Sequence, residues 1–327
     1  MPTRKPKKPT SRAPKAPGRR AAEPPVALPD RRLMERHLAS MTRLLEEQEF
    51  ETIEEANAYL ENLLQQGGGK LPDVAPSTPL EEAQDLVYQA LEKSGRKRLE
   101  LARKALTISP DCADAYVILA EGTKDPHEAR RLYEQGVAAG ERALGPEFFA
   151  HEAGNFWGIF ETRPYMRARL GLAKVLWHLG ERRAAIEHLQ EMLRLNPNDN
   201  QGVRQFLMHW LLAVGDLAAL DRLLKQYPEE GFAAYEYTRA LMLFRRYGAG
   251  KRSDKALVQA ITANPFVPMY LLGLKPLPRR LPEYVGIGDE NEAVAYLAEA
   301  AQNWLDTPGA LEWLADVLVR HAPTPPD

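Results

Sequence analysis

The sequence predicts an all-α fold, an α-solenoid (α-α superhelix) of stacked helix pairs that follows a disordered N-terminal tail. Three observations lead to this prediction. Apolar residues recur at helical spacing over most of the chain. Three glycines that suit turns between helices, Gly180, Gly215 and Gly248, are 35 and 33 residues apart. Residues 1–29 contain eight prolines and almost no large apolar side chain, so little apolar burial would offset the entropy cost of ordering them.

The composition is that of a globular protein with an uneven distribution of charge. Of the 327 residues, 44% are apolar and 27% are charged, which is ordinary for a folded soluble protein. The formal net charge is −2, but residues 1–30 hold eight Lys/Arg against two Asp/Glu, while the remaining residues hold 35 basic and 43 acidic side chains. A basic tail therefore precedes a mildly acidic body.

Composition also argues against several protein classes. The single cysteine, Cys112, excludes an internal disulfide and a zinc site built from several cysteines. The most apolar run, Phe206–Val214, is shorter than the ~18–20 residues that span a bilayer. No apolar segment follows the basic N-terminus, so a secretory signal is not expected. These features predict a cytoplasmic protein without a membrane span.

Ahead of the repeats, the pattern predicts a helical pair over residues 30–69 and a linker over residues 70–80. Two stretches of helical apolar spacing make up the pair. Thr52 followed by Glu55 is a capping box for the second helix. Gly67–Gly69 ends that helix, and the proline-containing stretch after it interrupts regular structure.

Residues 81–265 are predicted to form about five tetratricopeptide-like units. The spacing of the turn glycines brackets the 34-residue period of that repeat. The clearest unit is Arg167–Asp199, in which small residues such as Ala173 lie where its two helices cross closely. Asn196-Pro197 closes this unit because proline cannot continue the helical hydrogen-bond ladder, and Asn264-Pro265 repeats the same stop.

Two segments interrupt the period. Residues 145–164 form an aromatic-rich insertion, which would serve either as packing against the solenoid or as a docking surface. Residues 266–327 begin with a proline-rich excursion and end with a helical pair that would cap the solenoid. Within the excursion, Pro276–Pro282 resembles a polyproline ligand, although a rigid connector would use the same prolines.

Two stretches of the chain resemble a known family. One is Asn264–Leu314, with its Asn-Pro stop, the run Tyr270-Leu271-Leu272, the proline-rich bend and Gly288-Asp289-Glu290. It resembles the C-terminal block of the suppressor of tumorigenicity 7 proteins and their bacterial tetratricopeptide relatives. The other, Phe156–Ala173 (FWGIFETRPYMRARLGLA), resembles the bacterial branch. The resemblance implies a helical-repeat interaction protein. Animal members resemble membrane-associated proteins with apolar N-terminal segments, where this sequence has its basic tail.

The histidines and the cysteine form no recognisable catalytic pattern. No HExxH, GxSxG, P-loop or GxGxxG motif occurs. An enzyme centred on His151-Glu152 is a minor alternative, because no second histidine or acid lies at metal-ligand spacing. Cys112 lies beside Asp111 and Asp114, and acidic neighbours oppose thiolate formation. No catalytic residue, cofactor or metal site is therefore predicted.

The predicted function is protein–protein interaction through the concave groove of the solenoid. First helices of stacked pairs line this groove, and the repeat register places a basic and aromatic set of side chains there, which suits an acidic peptide or a partner helix. The alternative is that the cations form a solvated face and Trp177 is core. The predicted groove residues are Arg167, Lys174, Trp177, His178, Gln205, His209, Tyr235, Thr238, Arg245 and Arg246.

A function of a different class is nucleic-acid or ribosome association through residues 1–29, with the repeats as scaffold. The basic side chains of the tail would attract phosphate backbones without sequence specificity. The tail has no aromatic residue for base stacking, and a solubilising leader is the simpler interpretation. The identity of the partner and the oligomeric state are left open.

Overall fold

The computed structural model describes residues 32–46, 48–69, 71–72, 74–229 and 231–321. The predicted disordered tail, residues 1–29, lies outside this described part. The described residues form helices and no strand. The helices are α1 (Arg32–Glu46), α2 (Ile53–Gln66), α3 (Pro79–Leu91), α4 (Gly95–Ile108), α5 (Ala113–Gly122), α6 (Pro126–Leu144), α7 (Pro146–His151), α8 (Arg163–His178), α9 (Arg182–Leu195), α10 (Val203–Val214), α11 (Leu217–Gln226), α12 (Ala233–Tyr247), α13 (Lys251–Ala263), α14 (Phe266–Leu271), α15 (Glu290–Leu305) and α16 (Ala310–His321).

Ten of these helices form five consecutive pairs, α3/α4, α5/α6, α8/α9, α10/α11 and α12/α13. Each helix packs against its partner, and each pair packs against the next pair along the chain. The protein is therefore an all-α solenoid of tetratricopeptide type, as the sequence predicts. We call the surface formed by the first helices, α3, α5, α8, α10 and α12, the inner face, because first helices line the concave surface of such repeats.

The glycines and Asn-Pro pairs that the sequence analysis assigned to turns and helix ends lie at those positions in the structure. Gly180, Gly215 and Gly248 lie between the two helices of a pair with φ of 85°, 76° and 72°, a left-handed backbone that glycine adopts without steric cost. Helices α9 and α13 stop immediately before Asn196-Pro197 and Asn264-Pro265. Thr52 caps α2, because its Oγ1 accepts a hydrogen bond from Glu55 N at 3.2 Å.

The aromatic insertion does not separate the second pair from the third. It folds into α7 and two 3₁₀ turns, Phe156–Gly158 and Phe160–Thr162. Phe156 is fully buried, and its ring centroid lies 5.0 Å from that of Phe149 and 6.2 Å from that of Tyr165. These three rings pack the insertion against the solenoid.

The third unit begins earlier than the sequence analysis placed it. Helix α8 starts at Arg163, so Arg163 and Pro164 belong to the helix and not to the insertion. Proline is compatible with the first turn of a helix because the N–H that it lacks would have no partner there.

The C-terminal helices return to the repeats after the proline-rich excursion. Helix α15 packs against α10 and α12, two first helices, and α16 packs against α13. The buried Glu292 carboxylate fixes the start of α15, since it accepts hydrogen bonds from Ala233 N (2.9 Å), Gly288 N (2.7 Å) and Asn264 Nδ2 (2.9 Å). The pair α15/α16 therefore does more than cap the last unit, because α15 also covers part of the inner face.

The contact between α6 and α8 depends on glycines. A Cβ atom on Gly140 would lie 2.7 Å from Tyr165 Cβ and 3.1 Å from Tyr165 Cα, and one on Gly136 would lie 3.1 Å from Ala168 Cβ. The two helices can approach this closely only because these positions carry no side chain.

Across the described residues, no helix is at once long enough and apolar enough to cross a bilayer.

We predict that Gly140→Ala lowers the free energy of unfolding by about 1–3 kcal/mol, because the added methyl group forces the α8 backbone to move. Alanine is intrinsically the better helix former, so helix propensity alone would raise the free energy of unfolding. A decrease would therefore report the packing clash. Urea denaturation measures the effect. Gly158→Ala is the matched control, because no atom lies within 4 Å of a Cβ there. Equal effects of the two substitutions would contradict the packing argument.

Candidate functional site

A cleft opens on the inner face between α8, α10 and α15, and we call it the α8–α10–α15 cleft. Its cavity volume is about 360 Å³. A neighbouring cavity of about 200 Å³ shares Phe206, His209 and Glu299 with it. The two cavities together follow the line along which α15 meets α10. The side chains that line the cleft are Lys174, Trp177, Arg182, Phe206, His209, Trp210, Ala213, Glu299, Gln302, Asn303 and Asp306.

One wall of the cleft combines aromatic rings with cations. Trp177 of α8 stacks on Trp210 of α10, with centroids 4.5 Å apart and planes 3° from parallel. The Lys174 ammonium lies 4.3 Å from the centroid of Phe206, and the Arg182 guanidinium lies 5.2 Å from that of Trp177. Burial lowers the pKa of Lys174, and the Glu299 carboxylate opposes this shift. Cation–π contacts of this kind hold the positive groups at the surface of the rings.

Polar side chains of α15 and of the residue after it form the opposite wall. Glu299 and Gln302 of α15 and Asp306, directly after the helix, line the cleft together with the cations. Asn303 Nδ2 donates a hydrogen bond to the carbonyl oxygen of His209, at 3.1 Å. The cleft therefore carries both signs of charge, with the positive groups on α8 and the start of α9 and the negative groups on α15 and at its C-terminal end.

His209 lies at the floor of the cleft. Its ring is buried against Tyr296 of α15, with centroids 5.6 Å apart, and its Nδ1 atom has no hydrogen-bond partner in the protein. Burial lowers the pKa of His209 to about 4. The imidazole is therefore neutral at pH 7 and contributes a polar but uncharged surface.

The structure brings four of the ten predicted groove residues together. Lys174, Trp177 and His209 line the cleft, and Gln205 lines the neighbouring cavity. Whether any of them binds a partner stays a prediction. His178, at the end of α8, is exposed but lines neither cavity.

The expectation that Tyr235 and Thr238 face an open groove is wrong. Both side chains are buried. The Tyr235 hydroxyl donates to the carbonyl oxygen of Leu224 in α11, at 3.3 Å, so the residue points into the contact between the fourth and fifth pairs. Thr238 is buried for a different reason, because α15 packs on α12 and places Tyr296 beside it.

The predicted arginines have partners within the chain. Arg245 donates from Nε to Thr307 Oγ1 (2.7 Å) and from Nη2 to the Asn303 carbonyl (2.9 Å), so it holds the C-terminal end of α15. Arg246 donates from Nη2 to the Leu217 carbonyl, at 3.0 Å. Burial lowers the pKa of Arg245, which Asp306 partly offsets. Neither arginine offers a free guanidinium to the cleft.

Arg167 lies on another part of the inner face, in a buried ion cluster. Its Nε and Nη2 atoms donate to the two oxygens of Asp114, at 2.8 and 2.6 Å, and Nη1 donates to Glu35 of α1 at 2.9 Å. Burial alone would lower the pKa of Arg167, but the charge of Asp114 and then of Glu35 raises it. Burial alone would raise the pKa of Asp114, but the guanidinium lowers it. Both groups are therefore ionised in the folded protein.

Sequence reasoning missed most of the cleft. Phe206 and Trp210 are four residues apart and lie on the side of α10 that faces Trp177. Their helical spacing was sufficient to predict that they share this side. Glu299 and Asn303 were not, because α15 follows an aperiodic segment and the repeat register does not predict where it packs. Arg182 begins α9, the second helix of its pair. The sequence analysis placed only first helices along the groove, so it did not include this residue.

The residues considered for catalysis lie apart from the cleft. His151 is exposed and its Nδ1 lies 2.8 Å from the carbonyl oxygen of Glu147 in its own helix. Cys112 is buried, and burial together with the charge of Asp114 raises the pKa of its thiol to about 12. In the part of the chain that the structure describes, no three His, Cys, Asp or Glu side chains are grouped so as to hold a metal ion.

Comparison with protein families gives one match over most of the chain. A family model described as "ST7 protein" matches residues 76–322. The chain is similar to suppressor of tumorigenicity 7 protein-like of Bos taurus (28% identity over 246 residues, 68% of this chain and 44% of that protein). It is also similar to protein ST7 homolog of Caenorhabditis elegans (28% over 263 residues, 69% and 48%). The chain thus spans less than half the length of these curated relatives.

Comparison with solved structures gives a similar helical-repeat protein. The crystal structure of YrrB, a TPR protein with an unusual peptide-binding site, aligns with a TM-score of 0.38 and 20% identity. The alignment covers 69% of this chain and 93% of that chain.

The buried His209 predicts a pH dependence of stability. Its folded pKa, about 4, lies below the ordinary value of 6.5, so protons bind preferentially to the unfolded chain. The stabilisation that comes from keeping this imidazole neutral is complete above pH 6.5 and is lost as the pH falls towards 4. Between pH 7 and pH 5 we expect the free energy of unfolding to fall by about 2 kcal/mol because of His209.

Urea denaturation at pH 7, 6 and 5 checks this. His209→Leu should remove that part of the dependence of unfolding free energy on pH. Some dependence should remain, because burial also lowers the pKa of His188 to about 4. His178→Asn, at an exposed position, should keep the wild-type dependence. If His209→Leu and the wild type lose the same stability on acidification, the assignment of this effect to His209 is wrong.

Proposed function

The chain belongs to the ST7 protein family, as its resemblance predicts, and we propose that it is a non-enzymatic protein-interaction module whose partner peptide binds in the α8–α10–α15 cleft. The observation that carries the proposal is the pair of cations held over aromatic rings on the inner face, Lys174 over Phe206 and Arg182 over Trp177. Trp and Arg, which meet at Trp177 and Arg182, are enriched among the side chains that contribute most to protein–protein binding.

The charges of the cleft define the chemistry of the peptide. A carboxylate of the peptide would pair with Lys174 or Arg182, and an apolar side chain would cover the stacked Trp177. Glu299 on α15 and Asp306 directly after it also line the cleft, and they favour a basic group further along the same peptide. The sequence analysis predicted an acidic peptide, and these two carboxylates lead us to propose a peptide of mixed charge.

The non-enzymatic part of the proposal has its own support. The cleft contains one histidine, the neutral His209, and its nearest aromatic neighbour is Tyr296. Nucleophilic catalysis with His209 as the base needs a nucleophile within hydrogen-bond reach of the imidazole, and His209 Nδ1 has no hydrogen-bond partner among the described residues. The lining of the cleft offers cations, carboxylates, amides and rings, which are groups that bind a peptide.

We predict that peptides selected from a random library displayed on phage, with the full chain as bait, bind the cleft. Affinities of the selected peptides, measured by isothermal titration calorimetry, should fall at least tenfold in Lys174→Glu/Arg182→Glu, which is about 1.4 kcal/mol of binding free energy. Both side chains are exposed, so the reversal of charge should leave the fold intact.

Arg222→Glu/Lys225→Glu is the matched control, since it reverses two charges at exposed positions of α11, a second helix, and should leave the affinities unchanged. Peptides that bind the cleft variant as tightly as the wild type would place the site elsewhere. A selection that enriches no common sequence would count against a peptide-binding cleft altogether.

A further inference from the structure

Helix α1 lies on the part of the inner face that the cleft does not include. Its side chains contact the first helices of three successive pairs. Arg36 pairs with Glu92 at the end of α3 (3.3 Å), Arg32 pairs with Glu121 of α5 (3.2 Å), and Glu35 pairs with Arg167 of α8 (2.9 Å). The helix thus occupies the position in which repeat proteins of this kind bind a partner helix.

The two buried charged side chains of α1, Glu35 and Arg43, meet sites of opposite charge on the surface beneath the helix. At the α8 end, the Glu35 carboxylate lies 2.9 Å from Arg167 Nη1 and 3.3 Å from Arg163 Nη1. At the α3 end, Arg43 lies 3.0 Å from Asp85 and 3.1 Å from Glu81. Glu35 and Arg43 are eight residues apart, about 12 Å along a helix. Recognition therefore requires an acidic side chain followed about two turns later by a basic one.

The site for the carboxylate is built without α1. Arg167 is held by both oxygens of Asp114, at 2.8 and 2.6 Å. The Arg163 guanidinium lies 4.2 Å from the centroid of Phe160 and 5.1 Å from that of Trp157, and its Nε donates to the Trp157 carbonyl at 3.1 Å. Two fixed guanidinium groups are a pre-organised receptor for a carboxylate, which reduces the ordering cost of binding.

The hold of α1 on this surface is limited. Of its described side chains, only Glu35, Arg43 and Leu44 are buried, and Met34 is 69% exposed. The Arg36–Glu92 pair is 43% exposed on both sides, so it contributes little. The family match begins at residue 76, so Asp85, Arg163 and Arg167 lie within the matched residues, whereas α1 lies outside them.

We propose that the inner face of the first three pairs is a second binding surface, whose partner is an amphipathic helix with a carboxylate seated between Arg163 and Arg167 and a basic residue near Asp85. Helix α1 is the intramolecular occupant that this partner displaces. The proposal shares with the proposed function only the assumption that the inner face binds proteins, because the two surfaces have no lining residue in common.

A synthetic peptide of residues 32–46 with a fluorescent label is the probe, titrated into the full chain and followed by fluorescence anisotropy. In the wild type, the tethered α1 competes at an effective concentration on the order of 1 mM, so the peptide should bind weakly. Glu35→Lys in the chain places a third cation against Arg163 and Arg167 and should release α1, so the peptide should bind at least tenfold more tightly.

Two controls separate specific docking from a general effect of charge. Glu49→Lys makes the same change of charge at an exposed residue just after α1 and should leave the affinity at its wild-type value. A peptide with Glu35→Gln should bind the Glu35→Lys chain at least tenfold more weakly than the wild-type peptide. Circular dichroism of the Glu35→Lys chain verifies that the repeats remain folded.

Equal peptide affinity for wild-type and Glu35→Lys chains, or affinity that does not depend on Glu35 of the peptide, would overturn the proposal. Analytical sedimentation tests the alternative that α1 of a second copy of the chain occupies this surface in a dimer. If the wild type dimerises and excess peptide dissociates the dimer, the surface belongs to α1 of a neighbouring copy. Because this assay leaves Lys174 and Arg182 intact, its failure does not bear on the α8–α10–α15 cleft, and failure of the phage selection does not bear on α1.

Discussion

The packing of α6 against α8 is the contact on which the rest of the structure depends. The chain between these helices carries an insertion with a helix of its own, yet the third pair follows the second as if the repeat were continuous. Gly136 and Gly140 permit this, because a Cβ atom would clash with Tyr165 of α8 at Gly140 and would crowd Ala168 of α8 at Gly136. Since α8 is fixed in this way, α10 and α12 can continue the same inner face, and Arg167 at the start of α8 can reach Asp114 of α5.

Two of the described helices, α1 and α15, cover parts of this inner face, and different forces hold them. Helix α15 is held by apolar burial, with Tyr296 and Trp304 enclosed against α10 and α12, and by the buried hydrogen bonds of Glu292. Helix α1 is held mainly by ion pairs, of which Arg36–Glu92 is open to solvent and those of Glu35 are largely buried. Apolar burial of large aromatic side chains is worth several kcal/mol, whereas exposed ion pairs are worth about 1 kcal/mol or less each. It follows that α15 belongs to the folded core, whereas α1 buries a single apolar side chain among those described, Leu44, and has less apolar burial to lose when it opens.

Sequence reasoning succeeds here wherever a residue acts on its own neighbourhood. Gly215 forms the turn after α10 because glycine can adopt a positive φ. Pro265 ends α13 because its ring fixes φ and its nitrogen carries no hydrogen to donate. Both features could therefore be predicted from the sequence. Thr238 could not, because its burial depends on α15, which returns from more than fifty residues further along the chain. For the same reason Glu35 gave no signal as a partner of Arg163 and Arg167, which lie more than 120 residues away. Periodicity predicts which pairs adjoin, and it does not predict which distant segment covers them.

The charge balance of the ion cluster explains why the covered surface is suited to recognition. With α1 in place, the carboxylates of Asp114 and Glu35 neutralise the guanidinium groups of Arg163 and Arg167. Asp114 is almost fully buried, with 1% of its side chain exposed, and it remains paired when α1 leaves. The removal of Glu35 therefore creates no unpaired buried carboxylate, which would be the costly outcome. It leaves one surplus positive charge at the surface, on an arginine already oriented by Trp157 and Phe160. A partner that brings a carboxylate restores neutrality without rearrangement of the solenoid.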